Sequence, residues 1–185
     1  MVRTLAFAGV PYFCLMHLIE SPRLYVRYLT MDDLEDYYRL NGNEEVMRFI
    51  RAPKSRIETS VFLQQVIANY TASRPNLRLA LMEKGADTFV GSFAIIPVDN
   101  SADTQIGYAL LKDYWGKGYA SEIVKTGLIY TFNTFRLSHV AAIADIANTA
   151  SQNVLLKNEF VYEKTVEEDN RKLNVYRKEN NAFVG

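Results

Sequence analysis

Leu24-Tyr25-Val26-Arg27-Tyr28-Leu29 is rich in β-formers and predicts a short strand. Thr30 then stands as an N-cap, with Asp32 and Asp33 in the first helical turn, where carboxylates suit the positive helix end. Leu34, Tyr37, Tyr38 and Leu40 continue at near-helical spacing until Asn41-Gly42-Asn43 stops them. Glu44 to Ile50 reads as a short helical turn, ended before Pro53. Ser55 or Thr59 caps the next helix, whose stripe is Val61, Phe62, Val66 and Ile67. The period then changes. Leu77 to Met82 and Phe89 to Ile96 predict strands joined by the loop Glu83 to Asp87. Gln105 to Leu111 is a further strand, and Ala120, Ile123, Val124, Gly127, Leu128, Thr131 and Phe135 return to helical spacing. His139 to Ile146 is short and apolar, a buried strand. Asn148 or Thr149 caps a helix holding Val154, Leu155 and Leu156. Phe160 to Val166 and Leu173 to Arg177 form a last hairpin around Glu168 to Lys172. The order β-α-α-β-β-β-α-β-α-β-β predicts one mixed α/β domain.

Composition narrows this picture. With 185 residues, one domain is the default, and the 49% hydrophobic and 23% charged fractions exclude wholesale disorder. Lys plus Arg and Asp plus Glu both number 21, so no global field draws in nucleic acid. The single cysteine, Cys14, excludes an internal disulfide, and with only His17 and His139 no metal site is expected. A reducing, cytoplasmic setting fits. Thr4 to Ile19 is apolar after Arg3, but Gly9 and Pro11 interrupt it and no small-x-small cleavage site follows. It is too short for a membrane span of ~20 residues. Residues 1–15 are therefore expected to be an apolar extension packed on the domain or on a second copy in a homodimer. The domain proper is expected over 16–180, with a tail at 181–185.

Candidate chemistry concentrates in Tyr114-Trp115-Gly116-Lys117-Gly118-Tyr119-Ala120-Ser121-Glu122, between a strand and an amphipathic helix. A glycine-rich turn into a helix leaves several N–H groups unpaired and pointing one way, and the helix adds the equivalent of ~+0.5 charge. Together they form a seat for a phosphate or pyrophosphate. Gly116 and Gly118 let the backbone approach the anion, and Lys117 adds a charge. The spacing fits neither the P-loop nor the dinucleotide fingerprint, which lacks its third glycine here. The competing reading of Gly-x-Gly alone is a tight turn before a helix.

Four blocks in order turn that choice: Glu20 to Thr30, Asn43 to Ile50, Ile106-Gly107-Tyr108 with Tyr114 to Glu122, and Asn148-Thr149-Ala150-Ser151 with Lys157-Asn158-Glu159-Phe160. From about Ile19 to Lys178 the chain resembles the GNAT N-acetyltransferases, within them the RimJ/RimL-like branch. The resemblance implies a single-domain GNAT-like fold, with a mostly antiparallel twisted sheet, about four helices and splayed strands at the cofactor site. It implies acetyl-CoA as co-substrate, with its pyrophosphate on the amides of Gly116, Lys117, Gly118, Tyr119 and Ala120. The pantetheine arm pairs alongside Ala109, Leu110 and Leu111, and Asn148 contacts the cofactor, although a plain N-cap also explains that residue. The implied reaction is direct attack of a primary amine, from a protein N-terminus or a small molecule, on the thioester. A backbone N–H near Leu110 is the implied oxyanion donor, and Ser151 the general acid. The alternative for Ser151 is an ordinary helix-start serine.

This chain departs from the family pattern at several positions. Gln105 stands where many relatives carry Glu, so the base is Glu83, Asp103, a water chain or none. Leu155 replaces the tyrosine of other branches, Trp115 replaces Gln or Arg, and Glu159 replaces a frequent Gly. Glu122, Lys125 and His139 read as structural, and Tyr108 and Trp115 as buried aromatics or cleft linings. A non-catalytic acyl-CoA-binding sensor is the competing function, favoured by Gln105.

Overall fold

The computed structural model describes residues 17–71, 75–99 and 101–181. The expected apolar extension over 1–15 lies outside them, as does the tail beyond residue 181. Eight strands form one sheet: β1 (Ile19–Glu20), β2 (Leu24–Tyr28), β3 (Leu77–Glu83), β4 (Thr88–Pro97), β5 (Thr104–Leu110), β6 (His139–Asp145), β7 (Val161–Glu168) and β8 (Arg171–Glu179). Five helices accompany it: α1 (Leu34–Asn41), α2 (Glu44–Met47), α3 (Arg56–Ala68), α4 (Tyr119–Phe135) and α5 (Thr149–Lys157). The strand order is β1-β2-β3-β4-β5-β6-β8-β7, antiparallel except between β5 and β6. This is the mixed α/β, mostly antiparallel sheet expected from the sequence. Among the described residues no helix is long and apolar enough to cross a membrane.

The helix starts follow from side-chain chemistry. Thr30 caps the 3-10 turn at Met31–Asp33, and its backbone N–H donates to Asp33 Oδ2 at 2.8 Å, a closed capping box. Ser55, rather than Thr59, caps α3 in a second box with Glu58. Thr59 is buried and donates to the Ser55 carbonyl instead. Asn43 caps α2 and Asn148 caps α5. Helix α1 continues from the capped 3-10 turn with no side-chain cap of its own, and α4 begins with neither device: Gly118, at φ 81°, precedes it and no side chain caps it.

Alternation along the strands gives the sheet two buried faces. Leu79, Phe93, Ile95, Ile106 and Leu110 pack against Ile123, Val124 and Leu128 of α4. On the other face Ala80 and Met82 meet Tyr37 and Leu40 of α1 and Leu63 and Val66 of α3. Helix α4 seats closely because residue 127 is glycine; a Cβ there would stand 2.3 Å from the Phe93 ring.

Two expectations change. The β7–β8 connection is not a five-residue loop: it is the pair Asp169-Asn170, with φ 49° and 59°. Both residues tolerate the left-handed region that a tight hairpin turn needs. Glu159, where the resemblance implies a frequent glycine, takes φ 60° just past α5, so the turn keeps the left-handed form at a non-glycine residue. Its carboxylate pairs with Lys178 at 2.6 Å.

Candidate active site

The site starts from a break in the sheet. β5 and β6 share only one register pair, Gln105↔Ala141, whereas β6 pairs with β8 along its whole length. Beyond that pair the two parallel strands part. Leu111 N–H donates to the Val90 carbonyl at 2.9 Å, which sets the phase of the β4–β5 ladder. By alternation, residues 105, 107 and 109 direct their backbone groups at β4, while Ile106, Tyr108 and Leu110 direct theirs at the opening. Of Ala109, Leu110 and Leu111, only Leu110 therefore turns its amide to the opening, and Tyr108 supplies the neighbouring backbone position. The Leu110 carbonyl already accepts the Trp115 indole N–H at 2.8 Å. Trp115 is 46% exposed and ties the glycine turn to β5, so it is not the buried aromatic that is commonest at such a position.

The turn itself is poised. Gly116 and Gly118 have φ 73° and 81°. Among the described residues, no backbone or side-chain acceptor outside the helix takes the amides of residues 116–120. Five N–H groups, at the positive end of a 17-residue helix, are left without an acceptor among those residues. Lys117 is exposed beside them, its Nζ 4.9 Å from the centroid of the Tyr114 ring.

A buttress that local sequence reading misses holds this turn. Arg23 donates to the Lys117 carbonyl at 2.9 Å, lies over the Tyr119 ring at 4.5 Å and pairs with Glu122 at 2.6 Å. The Glu122 carboxylate also accepts from Ser21 Oγ (2.7 Å) and the Arg23 amide (2.9 Å). Burial opposes its ionisation, but these hydrogen bonds hold its pKa below the ordinary value. Glu122 is thus turned toward β1 and β2, and its charge is spent there. Arg23 and Glu122 are 99 residues apart, so no spacing signal joins them.

At the opening, the Tyr108 hydroxyl donates to Ser151 Oγ at 3.3 Å. Burial raises the Tyr108 pKa, so it remains a donor at neutral pH. The Ser151 amide donates to Asn148 Oδ1 at 3.1 Å, and the hydroxyl, which accepts from Tyr108, donates to no acceptor among the described residues. Asn148 caps α5 and also lines the cleft. The cleft holds about 440 Å³, in the range of small-molecule sites. Gln105, Tyr108, Ala109, Asn148 and Ser151 all line it.

Neither carboxylate considered as a base lines it. Glu83 accepts from the Tyr119 hydroxyl at the turn end of the sheet. Asp103 meets His139 Nε2 at 2.9 Å, and that hydrogen bond holds its carboxyl below the usual range, which weakens it as a base. His139 is thereby accounted for structurally. The cleft carboxylates are instead Asp99, Asp145, Glu168 and Asp169, and Asp145 is paired with Arg171.

Comparison with known proteins agrees with this geometry. The model of the acetyltransferase (GNAT) domain matches residues 23–161. The chain belongs to the GNAT acetyltransferase family. It is similar to YkkB of Bacillus subtilis (strain 168), 28% identical over 163 residues, covering 86% of this chain and 94% of that protein. YoaA of the same organism, named an N-acetyltransferase, is 26% identical over 145 residues, with 77% and 82% covered. Among solved structures, RimL, the ribosomal L7/L12 alpha-N-protein acetyltransferase in complex with coenzyme A, superposes with a TM-score of 0.78. It shares 16% identity over 90% of this chain and 99% of that one. Membership of the GNAT family makes the protein an acyltransferase.

Proposed function

We propose that the protein moves the acetyl group of acetyl-CoA directly onto a primary amine, with a protein or peptide N-terminus or another amine of low pKa as acceptor. The observation that carries this reading is the set of unpartnered amides at 116–120 beside a sheet that opens at Leu110. Residues 116–120 receive the pyrophosphate, and charge-assisted hydrogen bonds there are worth ~1.5–3 kcal/mol each. Tyr108 and Leu110 pair with the pantetheine arm along the free edge of β5. RimL, of the same fold and in complex with coenzyme A, supports coenzyme A as the ligand.

Leu110 N–H stabilises the thioester oxygen as the amine attacks and charge develops. As the carbon–sulfur bond breaks, Ser151 Oγ–H protonates the departing thiolate. Tyr108, already donating to Ser151 Oγ, restores that proton and regains one from water, which takes up the new amide's surplus proton.

Gln105 has no basic form to accept a proton, and neither Glu83 nor Asp103 lines the cleft, so in this reading the amine arrives neutral. An α-amine with pKa ~7.8 is about a quarter neutral near pH 7.4, whereas a lysine at ~10.4 is ~0.1% neutral, a difference of ~3.5 kcal/mol. Thiol release measured on peptide N-termini and lysine side chains is expected to favour the former. Gln105→Glu is expected to narrow that preference about tenfold by helping lysine more. A large and equal gain on both would overturn the acceptor assignment. Tight acetyl-CoA binding with no thiol release from any amine would favour the non-catalytic sensor.

A further inference from the structure

Two arginines in the cleft lack the partner that arginines in such places have. Arg51, from the segment between α2 and α3, and Arg78, from β3, both line the cleft. Their guanidinium carbons lie 5.0 and 5.5 Å from the centroid of one ring, Phe62, and Lys54 Nζ lies 5.3 Å from it. Every Asp and Glu of the chain falls among the described residues. None of the ion pairs there includes Arg51, Arg78 or Lys54. Arg51 donates to Asn41 Oδ1, but its Nε is buried with no partner among the described residues. Its burial pushes its pKa down, and the charge of Arg78 adds to that. Like charges gathered round one ring repel, and a buried donor without an acceptor is costly. Cation–π contact with Phe62 offsets only part of this, at ~0.5–2 kcal/mol per cation. An anion between them would meet both needs at once.

The floor beneath is open. Arg78 is in register with Ala94, and Ala94 with Gly107, so the arginine shares a row with two minimal side chains. A Cβ at Gly107 would meet nothing within 4 Å. The carboxylates of the cleft come from other elements. Asp145 ends β6, Glu168 and Asp169 are at the β7–β8 turn, and Asp99 follows β4. In the strand order, β3 and β7–β8 lie on opposite sides of the opening between β5 and β6. Arg78 is thus separated across the opening from the carboxylates of the last hairpin, where Arg171 is paired with Asp145 and donates to the Phe49 and Ile50 carbonyls beside Arg51.

We propose that the acceptor amine carries a carboxylate, which is seated by Arg51 and Arg78 while the amine faces the opening at Leu110. This rests on the acetyltransferase reading and specifies its substrate class: an amino-acid-like compound, either free or as the N-terminus of a peptide with an acidic side chain. Planar guanidinium forks match a carboxylate in two-point fashion, which a neutral amide does not reproduce.

Binding separates this from the transferase reading, because it needs no turnover. Matched pairs are titrated calorimetrically into the protein saturated with CoA: serine against serinamide, and Ser-Glu-amide against Ser-Gln-amide. The acid member of at least one pair is expected to bind ~10- to 100-fold more tightly. Arg78→Gln is expected to bring that ratio near one, and Arg78→Lys to restore part of it. A preference in the first pair identifies a free amino acid, and in the second a peptide. Equal affinities in the wild type, no binding by any acid member, or a ratio unchanged in Arg78→Gln would overturn the proposal. Absence of thiol release with acetyl-CoA, by contrast, would count against the transferase reading and leave the ratio standing.

Discussion

Replacing Ser151 with alanine is expected to lower kcat by about 100-fold, the usual scale for loss of a positioned general acid. KM for acetyl-CoA is expected to stay within about threefold, since the hydroxyl acts on the leaving sulfur rather than on the ground state. The geometry behind this is specific. Ser151 is the second residue after the start of α5, its amide is fixed by Asn148, and its oxygen already accepts from Tyr108. Tyr108→Phe leaves the serine hydroxyl in place, so its loss is expected to be smaller, about tenfold. Initial rates of thiol release across acetyl-CoA concentrations check both. A Ser151→Ala enzyme with wild-type kcat would remove Ser151 from the chemistry and return it to the role of a helix-start serine.

The second large effect concerns the cradle. Gly118→Val is expected to raise the Kd for acetyl-CoA by ~10- to 100-fold while far-UV circular dichroism stays unchanged. A left-handed conformation costs an L-residue about 1–2 kcal/mol, and a β-branched one is a true outlier there. Gly118 sits at φ 81°, and an added Cβ would approach Arg23 Nη2 at only 3.5 Å. Space is therefore not the main obstacle; the backbone angle is. Relaxing that angle turns the amides of residues 118–120 away from a common point, and each charge-assisted hydrogen bond lost is worth ~1.5–3 kcal/mol. Calorimetric titration of wild type and variant decides this, and an unchanged Kd would mean the diphosphate lies elsewhere.

Much of this was legible in the sequence because it was local. The helical repeat from Ala120 to Phe135, and the two glycines before it, lie within one window. The caps at Thr30, Ser55 and Asn148 are likewise read from neighbours, and only the choices of Ser55 over Thr59 and of Asn148 over Thr149 need the structure. What stayed hidden was non-local. β1 is two residues long and merges with the apolar stretch before it. The opening between β5 and β6 depends on strand order, which no periodicity encodes. Arg23 meets the glycine turn from 94 residues away. Arg51, Phe62 and Arg78 come from a loop, a helix and a strand, so their clustering has no sequence signature. Asp103 was a reasonable base by position, and only the His139 contact reveals why it serves poorly.

Selective 15N-glycine labelling reports on the amides at 116 and 118 most directly, because the chain holds only nine glycines. On titration with CoA, the Gly116 and Gly118 signals are expected to shift furthest, with Gly42 and Gly85 nearly still. If CoA binds and those two signals do not move, the turn before α4 is not where the diphosphate rests.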